Sequence, residues 1–138
     1  YDAADTPAKD KIISYLKANG HTILDATEDF SVDIKSQKED NTYFSEVEIK
    51  YAWRGDWNPK WEDVRIPYRK HKLINRVHSL ENKPFFNFYI LRKDLQYAWR
   101  IKDFVVEESE VKEAKGRNIL KGEHFFHIPV NKAELVKL

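Results

Sequence analysis

The segment Phe85 to Leu91, FFNFYIL, constrains the fold of this chain more than any other, because it is apolar nearly throughout yet far too short to cross a bilayer as a helix. A run of that kind suits a strand covered on both faces, so the chain has to supply one layer above it and one below. The remaining sequence offers both. From Pro7 to Asn19, Ile12, Ile13 and Leu16 recur at helical spacing, with Thr6 as N-cap, Pro7 in the first turn and Gly20 as the stop. Pro67 opens a second helix running to about Asn82, with Leu73, Ile74, Val77 and Leu80 on its apolar stripe and Arg69, Lys72 and Arg76 along its flank. Between them, His21 to Ala26 and Phe30 to Lys35 read as strands, Ser36 to Asn41 as a turn, and Tyr43 to Trp53 as a longer strand. Arg54 to Ile66, with Gly55 and Pro59 among tryptophans, reads as a structured loop. Tyr97 to Val106 is expected as another strand and EESEVKEAKGR from Glu107 as an exposed connector. His124 to Val130 is expected as a last strand before a short C-terminal helix. This order implies a single α/β domain over residues 1–138, a mixed sheet flanked by helices.

Composition narrows the chemistry. The length of 138 residues matches one ordinary domain. With 24 Lys and Arg against 23 Asp and Glu, net charge points to no partner, and any electrostatic signal must be local. The absence of cysteine excludes disulfides, thiolate metal sites and thiol nucleophiles, so a metal would be held by oxygen or imidazole. The histidines make poor chelates: His124 and His127 point to opposite faces of a strand, and His71 and His78 lack a carboxylate at ligand spacing. No phosphate-cradling glycine loop and no nucleophile elbow is present. No apolar run reaches the roughly 20 residues of a membrane span and no secretory layout opens the chain, so the expected setting is soluble, intracellular and cytoplasmic. The chain begins at Tyr1 and has no methionine, and its natural start is expected to lie outside it.

Asp33 is flanked by Val32 and Ile34, an apolar context in which a carboxylate contributes nothing to a core and must face elsewhere. On the following strand, two-residue periodicity sets Tyr43, Val47, Ile49 and Tyr51 on one face and Phe44, Glu46, Glu48 and Lys50 on the other. If the two strands pair, crowded carboxylates lie beside one lysine. Such carboxylates are stabilised by a divalent cation, and phosphodiester hydrolysis needs a metal that polarises the phosphate, together with a cation near the attacking water. The plainer reading makes Glu46, Glu48 and Lys50 the wet face of a half-exposed strand.

Asp33 followed by Glu48-Ile49-Lys50 after a turn, with a helix upstream, resembles the PD-(D/E)XK nuclease superfamily, which includes many restriction endonucleases and the archaeal Holliday-junction resolvases. The resemblance covers about Pro7 to Asn82 and the strand after it, and implies a restriction-endonuclease-like fold. It implies Asp33, Glu48 and Lys50 as catalytic residues, with magnesium (manganese as substitute) held by Asp33, Glu48 and the Ile49 carbonyl. Glu46 would either brace a metal ligand without touching the metal or bind a second metal. Many resolvase-like members carry a glutamate on the first helix, where the nearest acid here is Asp10, and Val32 stands where many members have proline.

Trp53, Trp57 and Trp61 mix with Arg54, Lys60 and Arg65 and lead into Arg69, Lys70, Lys72 and Arg76. Aromatic rings stack on exposed bases and cations neutralise phosphates, so Arg54, Lys60, Arg65, Arg69, Lys72 and Arg76 are candidate nucleic-acid contacts. Tryptophans are also common packing residues and a basic helix flank is commonly a solvated face. The expected function is a magnesium-dependent endonuclease acting on DNA, including structured or branched DNA, and a homodimer would supply two sites for two strands. The alternatives are a non-catalytic nucleic-acid-binding module on the same fold, and a protein-interaction domain using Glu107 to Lys115.

Overall fold

The computed structural model describes residues 6–25, 32–113 and 122–138. In chain order its elements are α1 (Thr6–Ala18), β1 (Thr22–Leu24), β2 (Ile34–Lys38), β3 (Asn41–Lys50), β4 (Asp63–Pro67), α2 (His71–His78), β5 (Phe85–Arg92), β6 (Tyr97–Lys102), α3 (Asp103–Glu108), β7 (Glu110–Glu113), β8 (His124–Pro129) and β9 (Glu134–Lys137). The apolar segment becomes β5, in the interior of a six-stranded sheet of order β1-β2-β3-β5-β6-β9. β3 and β5 run parallel and the other neighbours antiparallel, so the sheet is mixed. A parallel pair needs a crossover, and the chain from β4 through α2 provides it.

Both faces of β5 are covered, as its composition requires. Tyr89 and Leu91 pack with Val47 and Ile34 under Ala8, Ile12 and Leu16 of α1. Phe86, Phe88 and Ile90 pack with Phe44 on the opposite face, under Ile74 and Val77 of α2, Val105 and Val106 of α3 and a second sheet, β4-β8-β7. Fully burying each such side chain contributes roughly 1.5–3 kcal/mol, which makes this two-sided layering the main source of stability.

Several boundaries differ from the expected ones. Only Glu39 and Asp40 form the turn after β2, with Glu39 in the left-handed region at φ 56°, so β2 continues to Lys38. The segment expected as a loop contains β4, whose Val64 and Ile66 alternate into the core against β8. Pro67 ends β4 in extended conformation instead of opening the helix. A 3-10 turn over Tyr68–Lys70 precedes α2, which stops at His78. The expected strand Tyr97 to Val106 breaks after Lys102, and Asp103 starts α3 by accepting the Phe104 N–H at 2.8 Å. Part of the expected connector is the exposed edge strand β7, and the expected C-terminal helix is a 3-10 turn followed by β9, which pairs with β6. Ala26, Phe30 and Ser31 of the expected early strands, and connector residues 114–117, lie outside the described residues.

Candidate functional site

The candidate site forms where β3 outruns its neighbour. β2 pairs with β3 only from Lys38 opposite Asn41 to Ile34 opposite Ser45, whereas the pairing with β5 continues to Lys50 opposite Arg92. Among the described residues, no strand pairs with the β2 edge of β3 from Glu46 onward. Asp33, at a bend just before β2, fills the first gap: its Oδ2 accepts the Val47 N–H at 2.8 Å, and its own N–H donates to Glu46 Oε2 at 3.0 Å. Alternate backbone groups of a strand point to the same side, so the Ile49 carbonyl faces the same edge as the Val47 N–H.

Glu46 is 4% exposed, and Lys70, at the end of the 3-10 turn before α2, donates to its Oε1 at 3.2 Å. The same ammonium lies 3.9 Å from Oε1 of Glu48, whose side chain is 42% exposed. Burial pushes the Glu46 carboxyl up to about 8, the adjacent Asp33 carboxyl pushes the same way, and Lys70 opposes both. Asp33, Glu46, Glu48 and Lys70 thus form a carboxylate-rich corner with one cation in its middle. Among the described residues no three carboxylates or imidazoles already surround a common point, and here an ammonium stands between two of them.

The raised Glu46 carboxyl has a testable consequence for stability. The folded protein keeps a proton between the ordinary 4.5 and about 8 that the unfolded chain has released, so this contribution is present below about pH 4.5 and is lost as pH rises through 8. In metal-free buffer the stability of the protein relative to Glu46→Gln is expected to decline steadily from pH 5 to 9 in urea titrations. A pH-independent difference between the two proteins would contradict this.

Lys50 lies one pleat beyond Glu48 on the same face, as the alternation requires, with its Nζ 4.8 Å from the Trp61 ring centre and 6.0 Å from that of Trp57. Burial, then the Arg65 charge, hold its ammonium below the usual lysine range. Lys50, Lys60, Trp61, Glu62, Asp63 and Arg65 line a cleft of about 370 Å³ beside the carboxylates.

The other predicted residues are dispersed. Asp10 is exposed on α1, whose buried positions cover the face opposite Glu46, so the structure does not bring it to the carboxylates. Arg54 is exposed after β3, and Arg69 pairs with Glu123 at 3.1 Å. Lys72 and Arg76 are exposed on the outer side of α2. Trp53 is a core residue, stacked on Trp99 with ring centres 5.9 Å apart, which removes it from any base-stacking platform. The sequence groups Lys70 with the basic residues around Arg69 and gives it no tie to the carboxylates, because nothing local links it to β3, 24 residues away. It also ranked Glu48 above Glu46, whereas the register that pairs Ile34 with Ser45 sets Asp33 opposite Glu46. Among the described residues no helix is long and apolar enough to cross a membrane. No protein-family model and no curated protein matches the chain.

Proposed function

We propose that the chain is a metal-dependent nuclease of the PD-(D/E)XK type, on a restriction-endonuclease-like form of its mixed sheet, hydrolysing phosphodiester bonds in DNA. The observation that carries this reading is the Lys70 ammonium held between Glu46 and Glu48 beside Asp33, because it marks a point where three carboxylates demand a cation. Asp33, Glu46 and Glu48, with the Ile49 carbonyl on the same edge, are the oxygen donors that suit magnesium or manganese. Magnesium bound there would polarise the phosphate and acidify a water. Lys50, one pleat away and partly desolvated, is positioned to hold that water or the charge that develops on the phosphate. Lys72 and Arg76 on α2 and Arg54 after β3 supply exposed cations for the flanking backbone.

The test is incubation of the purified protein with supercoiled plasmid, a four-way junction and single-stranded DNA, in magnesium, manganese or chelator. Cleavage with either metal and none with chelator is expected. No cleavage of any substrate under any condition would overturn the proposal. A second reading, the non-catalytic nucleic-acid-binding module, is favoured by the same Lys70, since its ammonium already neutralises part of the corner. Salt-sensitive DNA binding without metal binding would select that reading.

A further inference from the structure

Apart from Lys50, the cleft beyond the carboxylates is lined by residues that the hydrolytic site does not require. Lys50, Lys60 and Arg65 face into it against Glu62 and Asp63, and Asp63 is turned toward His127, its Oδ2 lying 3.3 Å from Nδ1. None of the three cations has an ion-pair partner among the described residues, although Lys50 is half-buried. Lys50 instead rests on the Trp61 indole. A cation–π contact is a weak substitute for an anion, so an entering phosphate would draw the ammonium off the ring. That movement uncovers the indole face as the phosphate binds. The cleft, at about 370 Å³, lies within the roughly 300–1,000 Å³ of ordinary small-ligand clefts.

We propose that this cleft takes one unpaired nucleotide of a DNA strand, its phosphate between Lys50 and Arg65 and its base on Trp61. A base within a duplex hides both faces in the stack, so only an unpaired one can use the indole. Because Glu48 and Lys50 are neighbours on one face of β3, the nucleotide sits next to the carboxylate corner. The preferred substrate then has a single-stranded segment beside the bond to be cut, such as a flap, a frayed end or an open junction. The substrate preference rests on the nuclease reading, whereas nucleotide binding in the cleft does not.

The test is fluorescence anisotropy of a labelled oligothymidylate and of a duplex of equal length, in chelator at fixed low salt, so that cleavage plays no part. Tighter binding of the single strand is expected. Trp61→Ala is expected to weaken it about tenfold and to leave duplex affinity within twofold, while Trp61→Phe restores most of the loss; Arg65→Gln is expected to weaken single-strand binding about tenfold through the lost phosphate contact. Equal loss on both DNAs by Trp61→Ala, or no single-strand loss by either variant, would overturn the proposal, and circular dichroism of each variant establishes that it is folded. With magnesium, a flap or frayed duplex is expected to be cut faster than a blunt one. Single-strand binding that depends on Trp61 with no cleavage of any DNA defeats the nuclease reading and leaves the cleft standing. Cleavage with unchanged binding by Trp61→Ala does the reverse.

Discussion

Cleavage by the Asp33→Asn and Glu46→Gln proteins is expected to fall by about a thousandfold or more, because metal polarisation of a phosphoryl oxygen supplies several kcal/mol to the transition state and each 1.4 kcal/mol is a factor of ten. The two residues are braced together: Asp33 fills the gap at Val47, and its N–H fixes the Glu46 carboxylate. Glu48 is more exposed, its Oε1 lying 3.9 Å from the Lys70 ammonium, so Glu48→Gln is expected to retain a measurable fraction of cleavage and of calorimetric metal binding. The loss in Glu46→Gln does not reduce to misfolding, since the substitution removes a costly buried charge and should raise metal-free stability at alkaline pH. If Glu48→Gln proves the more damaging change, the acid-x-lysine assignment from the sequence holds and Glu46 is a supporting residue.

That ranking turns on register, which a sequence does not carry. The alternation from Tyr43 to Lys50 was enough to set Glu46, Glu48 and Lys50 on one face, and FFNFYIL was enough to demand layers on both sides of β5. Which of the two glutamates stands opposite Asp33 depends on where the hairpin turns, and it turns at Glu39 and Asp40, inside a polar stretch that offered several equivalent places. β4 escaped notice for a related reason. Its five residues, Asp63 to Pro67, alternate correctly but are too few, and too close to tryptophans and a proline, to stand out from a loop. Lys70 was illegible in a stronger sense, because its partner is set by the crossover that lays α2 over the sheet and by no local pattern. The tryptophans divide the same way: Trp53 and Trp61 are equivalent in the sequence, yet one is sealed beneath Trp57 and Trp99 and the other lines the open cleft.

Lys70→Met is expected to lower stability in metal-free buffer at pH 7 by about 1–3 kcal/mol, the cost of leaving a buried polar group without its partner. The loss is limited because Glu46, whose carboxyl is already raised, can keep a proton in place of the lost cation. The same substitution removes the group that competes with a divalent cation for Glu46 and Glu48. Magnesium or manganese should therefore bind Lys70→Met more tightly than the unaltered protein, and a concentration one hundred times the Kd would restore about 2.7 kcal/mol. Thermal denaturation with and without metal reads both effects together: the variant starts lower and gains more. In a purely structural ion pair the variant would start lower and gain nothing, and that result, obtained with both metals, would remove the carboxylate corner as a catalytic centre.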